Sequence, residues 1–320
     1  MTNFAPQMEI VYYNSKTKIQ PKCAATIGVF DGVHAGHQHV INEMKHIAKH
    51  SGRKSMVITF DRQPRELFDP DFHPQVISTM EEKAYHLKMM EVDYLVVLPF
   101  TMRIAQLTAR EFMQQVLRRQ LNVEHLTIGY DHRFGSGRKE SFNDYEAYGE
   151  ELGITLFRSL DLRLPGFNEP VSSSLIRRLI TEEGRVNEAA VLLTRPYRIV
   201  GTVVPGEHIG TKLGFPTANL EPEDDRKLIP ASGAYVVITD VGEDDLKFGM
   251  MNVGTRPTFN GSKCTLEVNI FDYDGDLYDR EIAVCFAERL REERHFTSPE
   301  ALKAQLKEDK KQALEFINRK

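Results

Sequence analysis

The chain is poor in cysteine, in basic charge and in long apolar runs. Only three of its 320 residues are cysteines, Cys23, Cys264 and Cys285. They are odd in number and widely spaced, which suits neither a disulfide framework nor a zinc cluster. Each lies in or beside an expected strand, so each is read as a small buried apolar side chain. Lysine and arginine total 41 against 46 acidic residues, a net charge of −5. Nucleic-acid and membrane-surface binders rely on a basic excess, so neither class fits. A local basic pocket for ATP remains compatible with that balance. No run of about 18 apolar residues is present. Residues 1–10 lack the basic flank and apolar centre of a signal peptide. A cytoplasmic protein with no nucleic-acid or membrane partner is expected. At 41% hydrophobic and 27% charged residues the composition is that of an ordinary globular protein, and the length allows two domains with separate cores.

The two halves differ in rhythm. In the first, continuous apolar runs at 24–30, 55–60, 94–99, 126–130 and 154–158 read as strands covered on both faces. Helical patterns lie between them. Over 38–50, Val40, Ile41, Met44, Ile47 and Ala48 share one face, and Thr108 with Glu111 forms a capping box ahead of Phe112, Met113, Val116 and Leu117. Alternating strands and helices give a parallel sheet with helices on both faces, and ligands bind such sheets beyond the carboxyl ends of the strands. A helical pair follows at about 174–193. Beyond it, strand patterns at 197–204, 234–239, 248–253, 265–271 and 281–286 are separated by turn signals, which suggests an antiparallel barrel. A last helix starts with Ser298 as N-cap and Pro299 as first residue, with Leu302, Leu306, Leu314 and Ile317 expected to face inward. The domain boundary is placed at 188/189, giving domains 1–188 and 189–320.

The most informative segment is Gly28-Val29-Phe30-Asp31-Gly32-Val33-His34-Ala35-Gly36-His37. An apolar strand runs into a glycine-punctuated turn, and a helix follows at once. Backbone N–H groups and the helix dipole favour an anion there. Gly36 removes the side chain where backbone and phosphate must approach. The paired histidines can hold the phosphates of ATP and stabilise charge during transfer. From the residues alone, one surface histidine and one helix-capping histidine is also open. Val171-Ser172-Ser173-Ser174 precedes a helix that carries Arg177, whose planar fork matches phosphate oxygens; an ordinary serine cap is the plainer reading. Two further loops follow strands at the same sheet edge: Gly129-Tyr130-Asp131-His132-Arg133-Phe134-Gly135 and Thr59-Phe60-Asp61-Arg62-Gln63-Pro64.

The second half carries Gly201-Thr202-Val203-Val204-Pro205-Gly206, then Gly210-Thr211-Lys212-Leu213-Gly214-Phe215-Pro216-Thr217-Ala218-Asn219. Flexible glycine backbone at Gly206, Gly210 and Gly214 can wrap phosphates. Thr217 and Asn219 place two oxygen ligands on one side of an extended segment, and oxygen ligands suit Mg²⁺. A glycine-rich hairpin with a packed Phe215-Pro216 turn is equally open at this point. Further along stand Gly233-Ala234-Tyr235, Asn252-Val253-Gly254-Thr255-Arg256-Pro257-Thr258-Phe259, Leu266-Glu267-Val268, and Leu290-Arg291-Glu292-Glu293-Arg294-His295-Phe296.

These motifs, in this order and over nearly the whole chain, resemble the prokaryotic bifunctional FAD synthetases (riboflavin kinase/FMN adenylyltransferase). The resemblance implies an α/β N-terminal domain with a nucleotidyltransferase-like, Rossmann-like parallel sheet and helices on both faces. An antiparallel β-barrel riboflavin-kinase domain with a C-terminal helix follows. It implies riboflavin, FMN, FAD and ATP as ligands, with Mg²⁺ as cofactor and ATP as co-substrate. His34 and His37 would act on the ATP phosphates, within a cradle of Gly28, Phe30, Asp31 and Gly36. Ser173, Ser174 and Arg177 would grip the phosphates from the other side. Asp131 and Phe134 would line the nucleotide and flavin pocket. In the second domain Thr217 and Asn219 would bind Mg-ATP, Glu267 would be the base for the ribityl 5′-hydroxyl, and Arg291 would help hold the flavin. Three positions depart from the family pattern. Gln63 and Asn269 stand where histidine is usual, and His132 where an aromatic is common. Two other readings follow from the same residues: a kinase whose adenylyltransferase half is weakened at Arg62-Gln63, and a flavin sensor without turnover.

Overall fold

A computed structural model describes residues 8–69, 71–130, 132–137, 139–206, 209–242, 245–258 and 261–319. The chain divides by its internal packing into two units, Met1–Ser172 and Ser173–Lys320.

The first unit is a six-stranded, all-parallel sheet. Its elements are β1 (Glu9–Tyr12), β2 (Cys23–Ile27), α1 (Ala35–Ser51), β3 (Lys54–Phe60), α2 (Met80–Met89), β4 (Tyr94–Leu98), α3 (Met102–Ala105), α4 (Ala109–Phe112), β5 (Val123–Ile128), α5 (Phe142–Leu152) and β6 (Thr155–Arg158). The strand order is β1-β4-β3-β2-β5-β6. Side chains of the central strands alternate between two cores. Ala25, Met56, Ile58, Val96 and Leu98 meet Phe112, Met113, Leu117 and Tyr145 on one face. Ala24, Val57, Leu95 and Val97 meet Ile41, Met44, Ala48 and Leu87 on the other. The capping box of Thr108 and Glu111 forms as the sequence predicts. The helix it starts continues from Met113 to Gln120 as a π-helix, which the apolar pattern did not announce. Nor did it announce β1, an edge strand whose residues are mostly exposed.

The second unit opens with α6 (Ser173–Thr181) and α7 (Val186–Leu193), followed by β7 (Tyr197–Val204), α8 (Ile209–Leu213), β8 (Ala218–Pro222), β9 (Gly233–Asp240), β10 (Leu246–Thr258), β11 (Gly261–Ile270), β12 (Glu281–Glu292) and α9 (Pro299–Asn318). The six strands close into an antiparallel barrel in the order β10-β11-β8-β7-β12-β9. A boundary at 188/189 falls inside α7. The helical pair is tied to the barrel: Ala231 N–H donates to the Ile180 carbonyl at 2.9 Å, and the Arg289 guanidinium donates to the Glu183 carbonyl at 3.1 Å. Ser298 caps α9 and Pro299 opens it, as the sequence predicts. Of the residues expected to face inward, Leu306 and Ile317 pack against the barrel core and Leu302 lines its cavity, but Leu314 does not. Leu314 is 40% exposed, while Asp309 and Ala313 are buried. The cysteine reading is corrected likewise: Cys23 is buried, but Cys285 is only partly so and Cys264 is exposed. Strand position alone does not bury a side chain when its face of the sheet points outward.

Candidate active sites

The first candidate site lies at the carboxyl end of β2. The turn from Gly28 to Val33 has left-handed backbone at Phe30 (φ 51°), Gly32 (φ 84°) and Val33 (φ 39°). For residues bearing a Cβ this costs about 1–2 kcal/mol each, so the surroundings must hold it. Two sets of bonds do so. The buried Asp31 carboxylate accepts N–H bonds from Ile77 (3.0 and 3.2 Å) and Ser78 (3.1 Å), and Gly32 N–H donates to Ser78 Oγ at 2.9 Å. The ammonium of Lys83, on α2, donates to the Val29 carbonyl at 2.7 Å and to Thr59 Oγ1 at 3.3 Å. Asp31 thus braces the turn through the chain ahead of α2.

His34 caps α1, its Nδ1 accepting from His37 N–H at 3.3 Å. The two imidazoles stack with centroids 3.6 Å apart and planes 18° apart. The Phe30 ring meets His37 edge-on at 5.2 Å. A Cβ on Gly36 would lie 3.0 Å from the Val171 carbonyl and 3.2 Å from the His34 ring, so a side chain here would crowd the stacked histidines. Gly28 sits against the Phe30 ring in the same way. Burial pushes the His37 pKa well below the usual imidazole value, and the charges of His34, Lys83 and His132 act in the same direction. His37 Nδ1 is buried without a hydrogen-bond partner among the described residues. A buried polar atom left without a partner is a place for a ligand's hydrogen-bonding group.

Asp131 lies outside the described residues. Phe134 is 7% exposed, stacked on Tyr145 at 4.5 Å, and belongs to the core beneath the sheet edge. Its own N–H and carbonyl are bonded to the Tyr145 hydroxyl, both at 3.1 Å. Gln63 caps the 3₁₀ turn Pro64–Leu67, its N–H donating to the Glu66 carboxylate. Ser173 and Ser174 are the first residues of α6, with Arg177 one turn on, all in the second unit.

The second candidate site is a row across the barrel. Asn219 on β8 stands opposite Glu267 on β11, Glu267 opposite Asn252 on β10, Asn252 opposite Ala234 on β9, and Ala234 opposite Arg291 on β12. Directly opposed residues of antiparallel strands project from the same face. Four members of the row, on four strands, face a cavity of about 250 Å³, while Asn219 stands beside Glu267 on β8 outside its lining. Thr217, Glu267, Asn252, Ala234 and Arg291 line it, together with Gly210. A Cβ on Gly206 would collide with the Asn219 amide, and one on Gly210 would collide with the Phe215 carbonyl and lie 3.1 Å from Thr217 Oγ1. The two glycines thus give the Asn219 amide and the segment from Phe215 to Thr217 room to pack close against the backbone. Gly214 takes a left-handed φ of 85° at the end of α8. Asn269 is 7% exposed and donates to the Pro216 carbonyl at 2.6 Å. An amide at that position thus pins the segment leading to Thr217.

Arg291 is not a free hand in this cavity. Its guanidinium forks onto Asp309 of α9 with three contacts of 2.8–3.1 Å, and Asp309 also accepts from Gln305 at 2.7 Å. Asp309 and Lys83 are the functional candidates that the sequence did not reveal. Each is a charged residue in a helical pattern, where solvent is the default expectation.

Two family models match the chain: FAD synthetase over residues 16–174 and riboflavin kinase over residues 193–317. The chain is 38% identical over 288 residues to the bifunctional riboflavin kinase/FMN adenylyltransferase of Pseudomonas fluorescens, covering 90% of each protein. It is 36% identical over 306 residues to the enzyme of that name from Escherichia coli K12, covering 95% of this chain and 96% of the other. A crystal structure described as a macrolide-efflux protein from Streptococcus pneumoniae superposes with a TM-score of 0.86 at 31% identity, over 94% of this chain and 97% of that one. Among the described residues of this chain no helix is long and apolar enough to cross a membrane. With both family models matched in succession and relatives of that name aligned over nine-tenths of their length, the chain belongs to the family of bifunctional riboflavin kinase/FMN adenylyltransferases.

Proposed function

We infer that this chain phosphorylates riboflavin with ATP to give FMN, then transfers the adenylyl group of a second ATP to FMN, giving FAD and pyrophosphate. Phosphorylation is assigned to residues 189–320 and adenylyl transfer to residues 1–188. The observation that carries the reading is the Asn219–Glu267–Asn252 row beside the barrel cavity, because it sets a carboxylate next to oxygen ligands where an alcohol and a phosphate can meet.

In phosphorylation, Glu267 takes the proton of the ribityl 5′-hydroxyl as that oxygen attacks the γ-phosphorus, and ADP leaves. Thr217 and Asn219 offer a hydroxyl and an amide oxygen, hard ligands suited to Mg²⁺ held together with ATP phosphates. When bound, Mg²⁺ neutralises charge on the transferring phosphoryl group. Gly206, Gly210 and Gly214 supply backbone around the phosphates. Arg291, held by Asp309 and by the Glu292 carbonyl, is assigned to help hold the flavin from the cavity wall.

In adenylyl transfer, an FMN phosphate oxygen attacks the α-phosphorus of ATP in line, the bond to the β-phosphate oxygen breaks, and pyrophosphate departs. The nucleophile is already an anion, so no base is required. Positioning and charge neutralisation are the protein's contribution. His34 and His37 bind the phosphates in the cradle of Gly28, Phe30 and Gly36, with Asp31 as brace. Ser173, Ser174 and Arg177 are assigned as further phosphate ligands, and Asp131 to the flavin and nucleotide pocket, on the family pattern. Phe134 supports its loop from the core. Purified protein given riboflavin, ATP and Mg²⁺ is expected to yield FMN and then FAD by chromatography. FMN that accumulates without FAD would leave only the kinase half of this reading.

A further inference from the structure

Neither reaction assigns a role to Lys83, yet this lysine is buried in the first unit, at 6% exposure. Burial lowers its pKa to about 8, against the raising effect of Asp31. An ammonium in such a place opposes folding, and an apolar side chain of similar length would fill the space without that cost. A side chain kept against stability points to use elsewhere.

Its contacts say where. Lys83 Nζ donates to the Val29 carbonyl at 2.7 Å, and Thr59 Oγ1, which also receives a bond from Lys83, donates to the same carbonyl at 3.0 Å. Val29 immediately precedes Phe30, whose backbone is left-handed and whose ring packs edge-on against His37. The ammonium thus grips the root of the turn that delivers both histidines. Its charge also acts on His37, alongside His34 from the same turn and His132 from the loop after β5. The nearby acid, Asp31, is engaged by the amides of Ile77 and Ser78.

We propose that Lys83 is a positioning residue for adenylyl transfer, fixing the Val29 carbonyl and placing a positive charge behind His37 where the ATP phosphates arrive. The proposal rests on the reading of His34 and His37 as phosphate ligands. With Lys83 in place, His37 meets the triphosphate as a neutral imidazole in a positive surrounding, so phosphate binding and imidazole protonation favour each other.

The test is Lys83→Met in the full chain, assayed with FMN, ATP and Mg²⁺. FAD formation is expected to fall about tenfold or more in kcat/KM for ATP, the loss of a charge-assisted hydrogen bond. Riboflavin phosphorylation should be unchanged and the melting temperature not lowered. The His37 ring, followed by NMR, should titrate at higher pH, since a neighbouring positive charge has gone. A merely structural lysine would lower the melting temperature and leave the His37 titration in place. Unchanged FAD formation, or an unmoved His37 titration, overturns the proposal. Should Lys83→Met not fold, Lys83→Gln, which keeps a donor without the charge, is expected to move the His37 titration in the same way. His37→Ala separates the two readings. If it abolishes FAD formation while Lys83→Met does not, the Lys83 proposal fails alone; if it leaves FAD formation intact, the phosphate reading of the turn fails.

Discussion

Arg291 on the last barrel strand and Asp309 on the C-terminal helix form a two-pronged ion pair, with only 10% and 2% of their side chains exposed. Both line the cavity beside Glu267. The pair ties α9 to the wall of that cavity and, with the bond from Arg291 Nη1 to the Glu292 carbonyl, holds the guanidinium in place.

Removing one partner leaves a buried charge without compensation, which costs about 3–5 kcal/mol. Asp309→Asn should therefore lower the melting temperature of the barrel unit and weaken riboflavin binding, read by quenching of flavin fluorescence. The double change Arg291→Met with Asp309→Leu should recover most of the stability and none of the flavin affinity. Recovered affinity would show that Arg291 serves the fold alone.

His37 links the adenylyltransferase site to pH. Burial holds its pKa well below the usual value, whereas the unfolded imidazole titrates near pH 6.5. Below that pH the unfolded state carries more protons than the folded one, so stability falls as pH falls. His125 is also pushed down by burial and adds to the same slope. His37→Gln should reduce the loss of stability between about pH 7 and pH 5.5 without abolishing it, measured by denaturant unfolding at each pH. The same change should lower FAD formation from FMN by about 10²-fold or more and spare riboflavin phosphorylation.

Gln63 gives a prediction in the favourable direction. Its amide can donate a hydrogen bond but carries no charge. If position 63 contacts phosphate, Gln63→His restores a charge-assisted bond of about 1.5–3 kcal/mol, a tenfold to hundredfold gain in adenylyl transfer. An unchanged rate of FAD formation from FMN would mean that position 63 is not a phosphate ligand in this chain.

Much of this arrangement was legible in the sequence because its signals are local. The strand, turn and helix around His34 and His37, the Thr108–Glu111 box and the Ser298-Pro299 start of α9 each rest on short-range chemistry. Strand β1 was not legible, since its side chains are mostly exposed and carry no alternation. β8 was obscured by Asn219 and Pro222, residues uncommon in strands. Lys83 and Asp309 were hidden for a different reason. A buried charge reads as a solvated one until its partner, Val29 or Arg291, is brought to it by the fold. The cross-barrel row from Asn219 to Arg291 likewise depends on strand register, which spacing along the chain does not reveal.

The central claim is that two chemistries work at two sites, with Glu267 serving only the first. Glu267→Gln keeps the side chain's size and removes the base. Supplied with riboflavin, ATP and Mg²⁺, this variant should form FMN at a rate reduced by about 10²–10⁴. Supplied with FMN instead, it should form FAD and pyrophosphate at the unaltered rate. Equal loss of both activities, or riboflavin phosphorylation at full rate, would contradict the account.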